Sequence, residues 1–321
     1  MLLILCSKRF DFEDSRWKQL YRNGALIFSS LPGIDQSIVG LRFRLFKAIS
    51  SSKNYRDLQK ARKFLYNIAK QWVIEKCARR SFGSKEINDY LDAFLVECEQ
   101  EKHKSFNREQ LIAYLIQFIA AGTDTSANTM YFACYMLAKY PKIQEKVQKE
   151  LDDVVGCETL PSLEHRQRLI YTEAFLREVD RYYALAPITP VRINSDEVTI
   201  RGFKIPKGKN FLANTFKCLR DSKYFKNPEQ FDVYNFIDER GELINVKSFM
   251  PFGIGKRRCP GELLAKIEIF LFISAIIQNF SLSLSSDENN ERGETKGIIK
   301  TLHPYKVIVK RREALHTLRP N

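Results

Sequence analysis

Along the first half of the chain, apolar side chains recur at mixed three- and four-residue spacings, and the reading is helix after helix. Residues 12–30 carry Phe12, Trp17, Leu20, Leu26 and Ile27 in this way, and Pro32, Gly33 and Gly40 then break the pattern. In residues 41–49 Leu41, Phe43, Leu45 and Phe46 are interleaved with Arg42, Arg44 and Lys47. Residues 55–80 predict a long basic helix whose apolar positions include Leu58, Ala61, Leu65, Ile68, Ala69 and Trp72. Asn107, with Gln110 three residues on, predicts an N-cap. The helix it opens is expected to run to Lys139 and to stop at Tyr140-Pro141, with a short amphipathic helix over 141–154. From Pro187 the pattern changes to β-branched residues cut by Gly202, Pro206 and Gly208, which predicts short strands and turns. A loop-rich stretch follows to residue 258. A strongly apolar helix is then expected over 260–278, and "YKVIVKRR" reads as a final strand. Neither a repeat nor a low-complexity linker is seen, so the expectation is one mainly α domain over 1–321 with small β-sheets.

Two apolar runs bear on membranes. Leu2 to Cys6 is too short for a signal-peptide core or a transmembrane helix, and the run 111–122, interrupted by Gln117, has the length of a core helix. The chain as written is therefore expected to carry no membrane anchor.

Composition narrows this picture only a little. With 321 residues, 44% hydrophobic and 28% charged, the chain has a globular composition and enough apolar mass for a sizeable core. A net charge of +14 is compatible with nucleic acid, an anionic membrane or an acidic protein partner. No nucleic-acid-binding motif accompanies it. Seven cysteines, an odd number without a C-x-x-C pair, argue against a disulfide framework or a zinc ribbon and for a reducing environment. The four histidines, His103, His165, His303 and His316, form no local ligand pair.

Three stretches carry candidate chemistry. "FGIGKRRCPG", residues 252–261, resembles a phosphate loop but fails as one. Arg257 follows Lys256 where a Walker loop needs Ser or Thr, and Arg258 stands where a dinucleotide loop needs its third glycine. Cys259 is expected at the N-cap of the apolar helix, with Pro260 at N1 and Glu262 at N3. There the helix dipole, Arg257 and Arg258 favour a thiolate. Gly255 and Gly261 permit close approach of a flat ligand. At this point a thiolate ligand, a nucleophile and a buried structural cysteine all remain open. "AAGTDTSANT", residues 120–129, puts a glycine and then Asp124 and Thr125 inside an apolar helix. It reads as a packing contact with Thr125 bonded to its own backbone, or as a widened turn beside a cavity. In "REVDRYY", residues 177–183, Glu178 and Arg181 share one helix face. An exposed pair of this kind is worth little by itself.

Together, in this order, the three stretches resemble the cytochrome P450 family of haem-thiolate monooxygenases. F-x-x-G-x-R-x-C-x-G is matched at Phe252, Gly255, Arg257, Cys259 and Gly261, A-G-x-D-T at Ala121, Gly122, Asp124 and Thr125, and E-x-x-R at Glu178 and Arg181. "SKRFDFED", "KYPKIQEKVQKELDDVVG" and "RGFKIPKG" are most similar to the animal microsomal, family 2-like branch, and the likeness runs from about residue 4 to about residue 310. The resemblance implies that Cys259 is the axial thiolate of haem iron (iron protoporphyrin IX). It implies a haem lying against Phe252, Gly255, Gly261, Ala121 and Gly122, with Arg257 and Arg192 paired to its propionates. Asp124 and Thr125 are implied to guide protons during dioxygen activation, and Glu178 and Arg181 to lock the fold. Phe118, Ile119, Ala121, Ile188, Val191, Ile298 and Ile299 are the implied apolar substrate pocket. An acidic flavoprotein, the NADPH–cytochrome P450 reductase, is the implied electron donor, facing Lys256, Arg258 and Lys266. The implied location is the cytoplasmic face of the endoplasmic reticulum membrane, with residues 41–49 as a peripheral contact.

Two departures from the family pattern stand out. The segment that usually reads Pro-Glu-Arg-Phe is Val233-Tyr234-Asn235-Phe236, so an amide replaces the arginine that joins the Glu–Arg pair. A tuning effect is expected from this, not loss of the fold. Residue 1 also aligns well inside the family pattern, so the fold expected is a partial P450 domain lacking the N-terminal β-rich portion, the early helices and the W-x-x-x-R helix. Two functions compete on this reading: a monooxygenase acting on an apolar xenobiotic, steroid or fatty-acid-like substrate, and a truncated, non-catalytic fragment with weak or no haem binding.

Overall fold

A computed structural model describes residues 1–11, 13–29, 53–81, 83, 85–100, 106–285, 294–295 and 299–312. The described chain forms two compact units, Met1–Thr125 and Ser126–Asn321. Phe12, the segment 41–49 and Ile298 lie outside the described residues.

The first unit holds α1 (Leu2–Cys6), α2 (Ser15–Ser29), α3 (Lys53–Arg79), α4 (Tyr90–Glu99) and the first half of α5 (Arg108–Lys139). The expected apolar faces make its core: Leu20, Leu65, Ala69 and Trp72 pack with Leu91, Phe94, Leu111, Leu115 and Ile119. Asn107 caps α5 as its spacing predicts, its Oδ1 accepting the Gln110 N–H at 2.9 Å. Asp89 is a second cap, with Oδ1 accepting the Asp92 N–H at 3.0 Å. Its Oδ2 accepts Ser7 Oγ at 2.7 Å, which ties the end of α1 to the start of α4. Lys76 of α3 reaches both Asp89 (3.0 Å) and Asp92 (2.7 Å), so two nearly buried carboxylates share one cation.

The second unit contains the rest of α5, α6 (Pro141–Val154), α7 (Ile170–Tyr183), α8 (Thr215–Cys218), α9 (Glu262–Asn279) and short antiparallel sheets. The Tyr140-Pro141 boundary falls where the sequence places it. Phe132, Leu137, Val147, Leu151, Phe175, Val179, Ile269, Phe270 and Ile273 form the core. Glu150 of α6 caps α7 from outside, accepting the N–H groups of Tyr171 (2.7 Å) and Thr172 (2.8 Å). The pairs are β1 (Arg192–Ile193) with β4 (Asn210–Phe211), β2 (Val198–Ile200) with β3 (Phe203–Ile205), β5 (Phe280–Leu284) with β8 (Val307–Arg311), and β6 (Glu294–Thr295) with β7 (Thr301–Leu302). Among the described residues no helix is long and apolar enough to cross a membrane.

Gln144 joins α6 to β5. Its Nε2 donates to the carbonyls of Leu137 (3.2 Å) and Leu282 (2.8 Å), and its Oε1 accepts the Leu282 N–H at 2.7 Å. Gln144→Leu keeps the volume and strands these buried backbone groups, so a loss of about 2–3 kcal/mol is expected. Urea denaturation of the variant and its parent measures it, and a loss below about 0.5 kcal/mol would count against this role.

Candidate functional site

The geometry of the second unit is built around α7. Glu178 and Arg181 face the same side of that helix, and both side chains are fully buried. The pair is bidentate, with Arg181 Nε donating to Oε2 and Nη2 to Oε1, each at 2.6 Å. The remaining guanidinium hydrogens reach the carbonyls of Leu219 (3.1 Å), Pro228 (2.7 Å) and Gln230 (2.7 Å). Glu178 also accepts the Asp232 N–H at 2.7 Å. Asn235 Nδ2 lies 3.3 Å from both carboxylate oxygens, so the amide that replaces the usual arginine still joins the pair. Burial pushes the Glu178 carboxyl up, and the guanidinium and the amide donors oppose that rise. The surface-pair alternative for these two residues does not describe what is found.

The cysteine loop differs from expectation at the helix start. Gly261 is the N-cap and α9 begins at Glu262, two residues after the position predicted for the cap. The loop's own turn takes up the Cys259 backbone: Gly255–Arg257 form one 3₁₀ turn, and the Cys259 N–H donates to the Phe252 carbonyl at 2.9 Å. The first helical bond of α9 instead runs from Ala265 N–H to Gly261 O at 2.9 Å. Gly253 (φ 75°) and Gly255 (φ 73°) supply the left-handed conformations that reverse the loop, and Gly253 is one the motif did not single out. Cys259 is a free, exposed thiol, so the buried structural reading falls. Arg192 of β1 is brought to this loop, its Nη2 donating to the Arg257 carbonyl at 2.9 Å.

One further residue meets the loop directly. Lys266 of α9 pairs with Glu262 at 2.7 Å, and its ammonium stands 5.3 Å from the centre of the Phe252 ring. It is therefore partly turned inward, whereas Lys256 and Arg258 are exposed. Asp180, beside Arg181 on α7, is pushed up to about 7 by burial, with Lys266 opposing the rise and Glu173 and Glu262 adding to it. The Glu262–Lys266 spacing of four was a readable helix-face signal. The proximity of Asp180 depends on packing between α7 and α9 and had no local signal.

The other candidates fall as follows. In the first unit, α5 is α-helical through Ala121–Thr125, without the widened turn. Thr125 Oγ1 donates to the Ala121 carbonyl at 2.7 Å, and Thr123 does the same to Ile119. A Cβ at Gly122 would stand 2.6 Å from Met1 Sδ, so glycine makes room for that side chain. Ile119 is in the core, and Phe118 meets Tyr90 edge-on at 5.4 Å. In the second unit, Ile188 bridges to Asn214 and Val191 is exposed. Ile299 is half-buried beside the α7 terminus, where the Lys300 N–H donates to Leu185 O at 2.8 Å and Tyr183 Oη donates to Lys300 O at 2.7 Å.

Comparison with known proteins gives one consistent picture. The family model described as Cytochrome P450 matches residues 2–309. The chain is 32% identical over 303 residues to rabbit cytochrome P450 2C15, covering 87% of this chain and 74% of that protein. It is 33% identical over 315 residues to rat cytochrome P450 2C23 (96% and 59%). Against human cytochrome P450 2C8 it is 30% identical over 334 residues (95% and 63%). The chain thus spans about three-fifths of the length of two of these relatives and about three-quarters of the third.

Two outcomes are expected from the α7 geometry. Arg181→Met leaves Glu178 and three carbonyls buried without their donor, and a loss of about 3–5 kcal/mol is expected in chemical denaturation. Asp180 binds its proton in the folded chain up to about pH 7, against about 3.9 for an ordinary aspartate. The folded state therefore holds a proton that the unfolded chain releases between these values, and this group's contribution to stability falls as pH rises through that window. Asp180→Asn removes the effect, so its stability relative to the parent should rise from about pH 4 to about pH 7 and then level off. A flat difference across that range would contradict the assignment.

Proposed function

The chain belongs to the cytochrome P450 family, and from that premise we propose that it is a haem-thiolate monooxygenase of an apolar small molecule. The observation that carries this reading is the presentation of Cys259: a free, exposed thiol on a loop whose backbone is closed onto Phe252. The donor set fits haem. Among the described residues no group of three His, Cys, Asp or Glu side chains is arranged to hold a bare ion. A lone thiolate suits a metal that brings its own macrocyclic ligands. The left-handed glycines beside the cysteine suit a flat group that approaches the backbone closely.

When bound, haem would supply the activation of dioxygen and the insertion of one oxygen atom into the substrate. The protein's part would be to bind, orient and exclude water. Cys259 would ligate the iron, and Phe252, Gly255 and Gly261 would lie against the macrocycle. Arg257 and Arg192 would orient it through its propionates. Ala121 and Gly122 of α5 would lie against haem only once the Met1 side chain, which now packs on Gly122, has moved aside. Thr125 Oγ1 and the Asp124 carboxyl would hold and move a proton. Phe118, Ile119, Ile188, Val191, Ile298 and Ile299 would be the apolar residues that meet the substrate. Electrons from NADPH would arrive through an acidic flavoprotein reductase docked by the exposed Lys256 and Arg258. The endoplasmic reticulum membrane, cytoplasmic face, is the location that accords with this partner.

The test is spectroscopic. The full chain, reconstituted with haem, reduced and exposed to carbon monoxide, should give a strongly red-shifted Soret band, and Cys259→Ala should remove it. Failure to retain haem, or a band typical of nitrogen ligation, would overturn the reading and favour a non-catalytic member of the family. Persistence of the band in Cys259→Ala would displace the ligand assignment alone.

A further inference from the structure

The end of α3 carries a pattern that haem chemistry leaves unused. The chain has three Arg-Arg pairs, at 79–80, 257–258 and 311–312, and only the first is followed by a hydroxyl residue, Ser81. The helix stops at Arg79, and Ser81 is exposed in the irregular chain just beyond it. Arginines directly before an exposed serine suit the acidic substrate cleft of an arginine-directed protein kinase, which selects its targets by charge pattern.

The structure adds a second, independent observation. Ser81 lines a cavity of about 370 Å³ in the first unit, and four cations share its wall: Lys8, Lys76, Arg79 and Arg80. Three of them are engaged. Lys8 pairs with Glu75 at 3.0 Å, Lys76 with Asp89 and Asp92, and Arg80 with Glu99 at 3.0 Å. The remaining carboxylate of the wall, Glu86, accepts from Asn88 Nδ2 at 3.1 Å. Arg79 is exposed and forms no ion pair among the described residues. The cavity thus holds one cation in surplus, next to the hydroxyl.

We propose that Ser81 is a phosphorylation site for an arginine-directed serine kinase and that this cavity receives the phosphate, which pairs with Arg79 and with the Lys8 that follows α1. In the transfer from ATP the bond between Ser81 Oγ and the γ-phosphorus forms and the bond from that phosphorus to the β–γ bridging oxygen breaks. ADP leaves, and the hydroxyl proton passes to the catalytic aspartate of the kinase. The product brings nearly two negative charges and three acceptor oxygens, which guanidinium and ammonium donors satisfy. The last carbonyls of α3 oppose an anion here, but their field falls off within one turn and is screened by salt. Access is governed by Glu99, which holds Arg80 and also accepts the Gly83 N–H at 3.3 Å. The phosphate would tie the chain after α1 to the end of α3. The proposal goes beyond the haem reading and does not depend on it.

The full chain is incubated with ATP, magnesium and an arginine-directed serine kinase, and the product is mapped by tandem mass spectrometry. A phosphoryl group at Ser81 is expected, and Ser81→Ala should remove it. Arg79→Ala should slow the transfer by roughly tenfold or more. Glu99→Gln, which releases Arg80, should speed it. Docking of the phosphate is read by phosphorus NMR, from the midpoint of its second ionisation, ordinarily about 6. In the folded chain that midpoint should lie about half a unit or more below its value in a phosphopeptide of residues 76–88, because only the fold brings Lys8 to it. Lys8→Gln should close the gap. The proposal is overturned if a kinase that modifies the peptide leaves the folded chain unmodified, or if it modifies only other serines. It is likewise overturned if chain and peptide titrate alike, or if the gap survives Lys8→Gln. None of these readouts needs haem, so a chain that fails the carbon monoxide test can still pass this one.

Discussion

The second unit depends on one buried ion pair. Taking a carboxylate and a guanidinium out of water costs several kcal/mol per ion, and mutual attraction offsets it only when the remaining lone pairs and hydrogens are also engaged. At Glu178 and Arg181 they are. The bidentate contact uses both carboxylate oxygens, and three carbonyls from residues 219–230 take the remaining guanidinium hydrogens. The Asp232 N–H and the Asn235 amide complete the carboxylate. The pair therefore folds an otherwise irregular stretch around itself, because that stretch supplies what the charges need. Glu150, capping the same helix from α6, fixes the other end of α7.

Next to this pair, α7 meets the helix that follows the cysteine loop. Asp180 lies beside Arg181 in sequence, and the Lys266 ammonium opposes the rise that burial gives its carboxyl. Lys266 covers the Phe252 ring, and the Phe252 carbonyl holds the Cys259 N–H. Side-chain electrostatics and backbone geometry thus meet at one residue, Phe252. A half-buried cation over a phenyl ring is worth about 1 kcal/mol, so the hydrogen bond and the two left-handed glycines set the loop, and Lys266 refines the ring.

Much of this was legible in sequence wherever the signal is local. The cap at Asn107, the break at Tyr140-Pro141 and the long basic helix ending near residue 80 follow from side-chain chemistry within a few residues. The Glu178–Arg181 spacing was visible, but its burial was not, since the groups that surround it come from residues 219–235. The start of α9 was read two residues early because Pro260 and Glu262 look like a first turn. The competing bond from Cys259 to Phe252 spans seven residues and leaves no mark in the cap pattern. The contact of Met1 with Gly122 was equally out of reach, and a glycine in a helix reads the same whichever side chain fills its space.

Gln144 has a consequence beyond the stability of its own contacts. A strand at the margin of a two-stranded sheet offers open N–H and C=O groups to any other extended chain. At Leu282 a side-chain amide engages both groups, on the side away from β8. One glutamine thus does the work of a neighbouring strand, and at that point the sheet has no free edge for another molecule to extend.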